Sequence, residues 1–333
     1  MYKLDQRDRQ IIFQLDRNSR QSINELATVT KLSRDVVSYR IKQLEKAGVI
    51  QKYIAVIDYG RFSYQQIRLY IKLQNTTPEI EESIALFFVR EKHCLIVYQT
   101  NGQHDLAAGF LVRSLVEYQQ IYDTFLREFR THVADKAISL FLTYHHFCRN
   151  YLVDKKHQDH TVITTGNREP FLYDEKDLLL LNVIKENARI TLLDLAQELN
   201  MTPAGVKYKL RNLEKQKVIL GYKVLLDFSK LGYQYFKVDL ELEDVAIIPS
   251  LAHYILQHPH VIYRDVTLGG SDFEFDCEFK NDLEFYQFMD KLKRLFPQKI
   301  RHYTFYQALK IYKYSYFPEE FLNPKGKKQP QKH

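Results

Sequence analysis

Residues 22–53 read SINELATVTKLSRDVVSYRIKQLEKAGVIQKY, and this stretch decides the architecture. Ser22 stands three residues before Glu25, the spacing at which each side chain can bond the other's backbone N–H and so open a helix. That helix is expected to run through Val29. Ser33 then offers a short hydroxyl to the open N–H groups of a second, longer helix. In it Val37, Ile41 and Leu44 recur on one face, the spacing of a half-buried helix. Gly48 suits the left-handed backbone that ends such a helix. Residues 49–58, VIQKYIAVID, are β-rich. Upstream, Ile11, Ile12 and Leu15 share one helical face within residues 5–16. Three helices, a short turn before the third and a strand behind it describe a winged helix-turn-helix.

The pattern occurs twice. Sliding the sequence by 169 residues brings Asp8 onto Asp177, Arg20 onto Arg189, and Leu44-Glu45 onto Leu213-Glu214. It also brings Tyr53 onto Tyr222 and Asp58 onto Asp227, without a gap from about residue 5 to residue 64. Further on, Gly102-x-x-Asp105 matches Gly269-x-x-Asp272 at an offset of 167. The second copy predicts helices at 177–184, 191–199 and 202–216, then a strand at 218–227. Pro203 suits the first turn of its third helix, and Lys217 replaces Gly48.

Each third helix is basic. Lys31, Arg34, Arg40, Lys42 and Lys46 outnumber Asp35 and Glu45, and Lys207, Lys209, Arg211, Lys215 and Lys217 outnumber Glu214. One basic amphipathic helix is ordinarily a solvated surface. Two of them, each at the recognition position of a helix-turn-helix, point to double-stranded DNA, because cations contact phosphate while the helix start meets the major groove. The candidate contacts are Ser33, Arg34, Asp35, Ser38, Arg40 and Lys42 in the first copy, and Thr202, Lys207, Lys209 and Arg211 in the second.

Composition sets bounds. The 333 residues are 45% hydrophobic with a net charge of +7, which fits a folded protein and excludes bulk disorder. The charged start MYKLDQRDRQ carries no leader signature, and no apolar run reaches membrane-spanning length. Cys94, Cys148 and Cys277 lie far apart, as expected of free thiols in the cytoplasm. His145 and His146 are adjacent on a predicted strand and point to opposite faces, a poor start for a metal site beside Cys148. No phosphate-binding loop, nucleophile elbow or zinc-protease motif occurs. No metal, cofactor or enzymatic activity is expected.

The string Leu4-Asp5-x-x-Asp8, Arg20, Ser22, Glu25-Leu26-Ala27 resembles the opening of the Lrp/AsnC family of transcriptional regulators. So does Leu32-Ser33-x-x-Val36-Val37-x-x-Arg40-Ile41-x-x-Leu44-Glu45-x-x-Gly48-Val49-Ile50-x-x-Tyr53. The resemblance implies an α+β chain in which two winged helix-turn-helix domains (1–60 and 173–230) alternate with two ferredoxin-like βαββαβ sensor domains (61–150 and 231–317). A linker at 151–172 joins the halves, and a basic disordered tail occupies 318–333. The resemblance further implies pairing of the sensor sheets, here as an intrachain pseudo-dimer, with assembly into a homo-oligomer. It also implies a small-molecule effector, an amino acid or other metabolite, near the turns Gly102–Asp105 and Gly269–Asp272. Siroheme decarboxylases resemble the same fold and are the enzymatic alternative. Their His-Asn-Tyr and Asn-Leu-Trp-Phe motifs have no counterpart in the matching segments CLIVYQTNGQHD and VIYRDVTLGGSD, and this chain contains no Trp.

Overall fold

Asp5 and Asp8 open the first helix as a reciprocal cap. Asp8 N donates to Asp5 Oδ1 at 2.8 Å, and Asp5 N to Asp8 Oδ2 at 3.2 Å. The computed structural model, which describes residues 3–166 and 168–318, then runs through α1 (Gln6–Arg17), α2 (Ile23–Thr30) and α3 (Arg34–Lys46). Ser22 and Glu25 form the expected box, and Ser33 Oγ accepts from Val36 N at 3.3 Å. Ile11, Ile12, Leu15, Leu26, Val37 and Leu44 close one core. Gly48 turns at φ +70° into strand β1 (Ile50–Ile57).

The first βαββαβ set is β2 (Gln65–Leu73), α4 (Pro78–Arg90), β3 (Cys94–Gly102), β4 (Leu106–Val112), α5 (Leu115–Phe129) and β5 (Val133–His146). After a short β6 (Ile163–Thr165), the second copy supplies α6 (Glu175–Glu186), α7 (Leu192–Glu198), α8 (Pro203–Lys215) and β7 (Ile219–Leu226). Its βαββαβ set is β8 (Gln234–Leu242), α9 (Ile248–Gln257), β9 (Val261–Leu268), β10 (Phe273–Phe279), α10 (Asp282–Leu295) and β11 (Ile300–Tyr314). The α+β order read from the sequence is therefore present twice. Among the described residues no helix is long and apolar enough to cross a membrane.

Strand pairing joins the copies in two places. First, β1 pairs antiparallel with β7, with Ile54 opposite Lys223. These two residues are 169 apart, so a pseudo-twofold axis passes through that pair. Second, β3 pairs with β11 and β5 with β9, closing the ring β2-β4-β3-β11-β8-β10-β9-β5 back onto β2. Strands β5 and β11, of 14 and 15 residues, are long enough to serve both sheets.

Strand alternation sorts the residues of each sheet. In β2, Ile67, Leu69 and Ile71 pack under α4 and α5; in β8, Phe236, Val238 and Leu240 pack under α9 and α10. The intervening residues, Arg68, Tyr70, Tyr235, Lys237 and Asp239, are left facing the opposite sheet.

The segment read as a linker, residues 151–172, is held to the rest of the protein at several points. β6 pairs with the end of β5, Asp159 receives Arg17, and Gly166 N donates to the buried Asp58 at 2.8 Å. The tail expected from residue 318 onward lies, beyond Pro318, outside the described residues.

Candidate nucleic-acid interface and inter-sheet chamber

The capping and packing of α3 and α8 leave one face of each exposed. On α3 this face carries Arg34, Asp35, Tyr39 and Lys42, with Ser38 half-buried beside them. On α8 it carries Pro203, Ala204, Lys207, Tyr208 and Arg211. Ser33 and Thr202 sit at the helix starts, their hydroxyls accepting from Val36 N and Gly205 N. Tyr39 and Tyr208 were not singled out from the sequence. They are 64% and 73% exposed. The signal was available: both copies hold a tyrosine at the same repeat position, off the buried stripe.

Two candidate contacts are placed elsewhere. Arg40 Nη1 bonds Asp8 at 2.7 Å and Asp5 at 2.9 Å, and Lys209 Nζ bonds Asp177 at 2.8 Å and Asp174 at 2.7 Å. These charges tie each recognition helix to the capped start of α1 or α6. Within the protein, these ion pairs are what Arg40 and Lys209 engage. The acids stand 32 and 35 residues upstream, beyond the reach of any local reading.

Reciprocal bonds lock the two winged units together. Arg20 donates to Ala188 O at 2.7 Å, and Arg189 donates to Ser19 O at 2.6 Å. Arg20 lies over the Tyr222 ring and Arg189 over Tyr53, each at 5.3 Å. Tyr53 and Tyr222 donate in turn to Glu45 and Glu214, both at 2.6 Å. Burial first, then the acceptor carboxylate, pushes both phenols' pKa values up. The residues that betrayed the repeat are thus the ones that build this contact.

The expected effector turns are engaged by the protein's own groups. Asp105 accepts from Leu73 N at 2.7 Å and Lys72 Nζ at 2.8 Å, and Asp272 accepts from Leu242 N at 2.8 Å. Gly102 and Gly269 adopt φ +130° and +79°, as such turns require.

Between the sheets lies a chamber that the sequence reading missed. Lys237, fully buried, reaches Glu274 at 2.6 Å, Asp239 at 3.0 Å and Asp265 at 3.1 Å. Burial pushes the Asp265 carboxyl up to about 7 and Asp239 to about 6, with Lys237 opposing both shifts. Nearby, Arg149 is held bidentately by Glu278 at 3.0 Å and reaches Asp16 at 3.0 Å. A cavity of about 50 Å³ adjoins this group. Among the described residues no set of three or more His, Cys, Asp or Glu could hold a metal ion.

A winged helix-turn-helix DNA-binding family model matches the chain twice, at residues 4–51 and 173–219. An uncharacterised HTH-type transcriptional regulator of Pyrococcus furiosus is 31% identical over 139 residues, covering 40% of this chain and 91% of that protein. The leucine-responsive regulatory protein of Rhizobium meliloti is 29% identical over 119 residues, covering 35% of this chain and 76% of its own length. The crystal structure of the siroheme decarboxylase NirDL is similar over 96% of both chains, with a TM-score of 0.63 and 13% identity. That likeness is one of fold. Each of the two curated relatives accounts for about one copy, and the family model for the helix-turn-helix of both: the chain belongs to the Lrp/AsnC family of HTH-type transcriptional regulators, with the unit present twice in one polypeptide.

Proposed function

We propose that the chain regulates transcription by binding one DNA site whose two halves differ. The observation that carries this reading is the pseudo-twofold ribbon, centred on Ile54 and Lys223, which holds two recognition helices that are related in place but unlike in sequence. A symmetric pair of such helices reads half-sites about 34 Å apart. Here the first turns differ: Arg34 corresponds to Pro203, Asp35 to Ala204 and Ser38 to Lys207. Arg34 can take guanine O6 and N7, and Asp35 can accept from cytosine N4, whereas Pro203 and Ala204 offer only apolar contact to a thymine methyl. Each good bidentate pair discriminates by about 1–3 kcal/mol, enough to bias a half-site. Selection from a random DNA pool should return two-part sites with a G·C-dependent half that loses its preference in Arg34→Ala. Perfect palindromes, unchanged in Arg34→Ala, would sink the idea.

An enzymatic reading is favoured by one observation, the whole-chain likeness to NirDL, whose structure is also known with an iron-uroporphyrin III analogue. Against it, the chamber's cavity of about 50 Å³ is small beside the ~300–1,000 Å³ pockets that enclose larger ligands. Loss of carboxyl groups from siroheme on incubation with the chain would replace the regulatory reading with the enzymatic one.

A further inference from the structure

The inner faces of the two sheets place cations at equivalent positions, Arg68 on β2 and Lys237 on β8. Their surroundings differ. Lys237 is met by three carboxylates. Arg68 is 3% exposed and forms no ion pair among the described residues; its Nε has no hydrogen-bond partner. Its contacts are a 3.3 Å bond from Nη1 to the Tyr98 hydroxyl and the face of Phe141 at 4.7 Å. Burial disfavours its charge, and Tyr98, Tyr70, Tyr306 and Asp265 favour it, Asp265 from beyond ion-pair distance. A buried cation with no carboxylate in direct contact is a place where native proteins pair the group or bind something.

Arg68 lines the 50 Å³ cavity and an adjoining one of about 40 Å³, which share Ile96, Tyr144, Tyr314 and Tyr316. His146 lines the second. It is 1% exposed, neither ring nitrogen has a partner, and burial, aided by Lys223, lowers its pKa so that the ring is neutral. A neutral imidazole still donates one N–H. The larger cavity also meets Arg149 and Lys223, but Asp16 and Glu278 face these two. Among the described residues, Arg68 is the cation here with no carboxylate within ion-pair distance, Asp265 acting on it from farther off. Cavities of this size hold a few non-hydrogen atoms, and Tyr144, Tyr314 and Tyr316 give both an aromatic wall.

We propose that the inter-sheet chamber binds one short-chain carboxylate, its oxygens directed to Arg68 and His146 and its apolar end among the rings of Tyr144, Tyr314 and Tyr316. The site is separate from the Gly102 and Gly269 turns. It abuts the ribbon: Gln51 of β1 and Lys223 to Leu226 of β7 line the same cavity. An occupant therefore touches the strands that carry both recognition helices.

The test uses the full chain in chloride-free buffer of constant ionic strength, titrated with propionate or with its neutral near-isostere propionamide, by thermal shift and calorimetry. Propionate should raise Tm saturably and propionamide should not. Arg68→Met should weaken propionate binding about tenfold or more, as expected for loss of a charge-assisted contact. Equal responses to propionate and propionamide, or an unchanged response in Arg68→Met, overturn the proposal. So does an equal response to phosphate, which marks an unselective anion hole. If Arg68→Met does not fold, the wild-type comparison of the two probes still decides. DNA binding is read separately by gel shift without carboxylate, so failure of either reading leaves the other measurable.

Discussion

At the scale of single residues, charge and role come apart. Arg40 and Lys42 are two positions from each other on α3 and look alike in the sequence. Arg40 is paired with Asp8, whereas Lys42 is exposed. Each phosphate contact removed should lower the slope of log affinity against log salt by about 0.9. Lys42→Ala and Lys207→Ala should each show that drop with Tm unchanged. Arg40→Ala should show the reverse, a lower Tm with the slope preserved, since it removes a charge-assisted bond to the buried Asp8 carboxylate. A flattened slope in Arg40→Ala would restore that residue to the DNA face.

Asp265 gives the same lesson for pH. Its folded pKa of about 7 lies above the ordinary value of 3.8 because burial disfavours the carboxylate. The folded state thus prefers the proton. Stability from this group is present at acid pH and falls as pH rises through the window from about 4 to 7. Asp265→Asn should therefore raise Tm at pH 8, and the gain over wild type should shrink toward zero near pH 4. A gain independent of pH would show that the carboxyl is not the cause.

At the scale of elements, most of the chain was legible because the signals are local. Capping boxes, apolar stripes and glycine turns act within a few residues, and the helices and strands fall where they direct. Lys217 shows how firmly the rest of a motif can impose itself. It takes φ +56° at the place where Gly48 takes +70°, a region costing about 1–2 kcal/mol for a residue with a Cβ. Lys217→Gly should stabilise the second winged unit by about 0.5–1 kcal/mol, after the added flexibility of the unfolded chain is offset. Denaturant titration checks this; a destabilised variant would mean that the lysine makes a compensating contact. One property of the strands lay beyond local signals. On an alternating strand the polar set is ordinarily assigned to solvent. In β2, β8 and β10 that assignment is wrong, because the polar faces of two sheets meet each other, and only the long-range pairings of β3 with β11 and β5 with β9 reveal it.

At the scale of the whole molecule, duplication has been followed by unequal drift. The winged units kept the Arg20–Tyr222 and Arg189–Tyr53 exchange, so their mutual placement is nearly symmetric. The sheets did not. The inner face of the second copy gathers Asp239, Asp265, Glu274 and Asp276 around one lysine, while the first offers Arg68, Tyr70 and Tyr98. The repeat could be read from sequence because the conserved contact lies in segments without insertions. The chamber could not, because its members are the residues that no longer match.

The pair on the axis, Ile54 and Lys223, has an arithmetical consequence. In a dimer of identical chains an axial residue meets its own copy, so a buried lysine there would face a second lysine, and any chamber beside it would occur twice. Joining the copies removes that constraint. Lys223 faces isoleucine, its ammonium goes to Asp16 and the Phe147 carbonyl, and Arg68 has no equally unpaired twin. For the proposed site, the stoichiometry is then one occupant per chain, with no second equivalent site among the described residues to make binding within a chain cooperative.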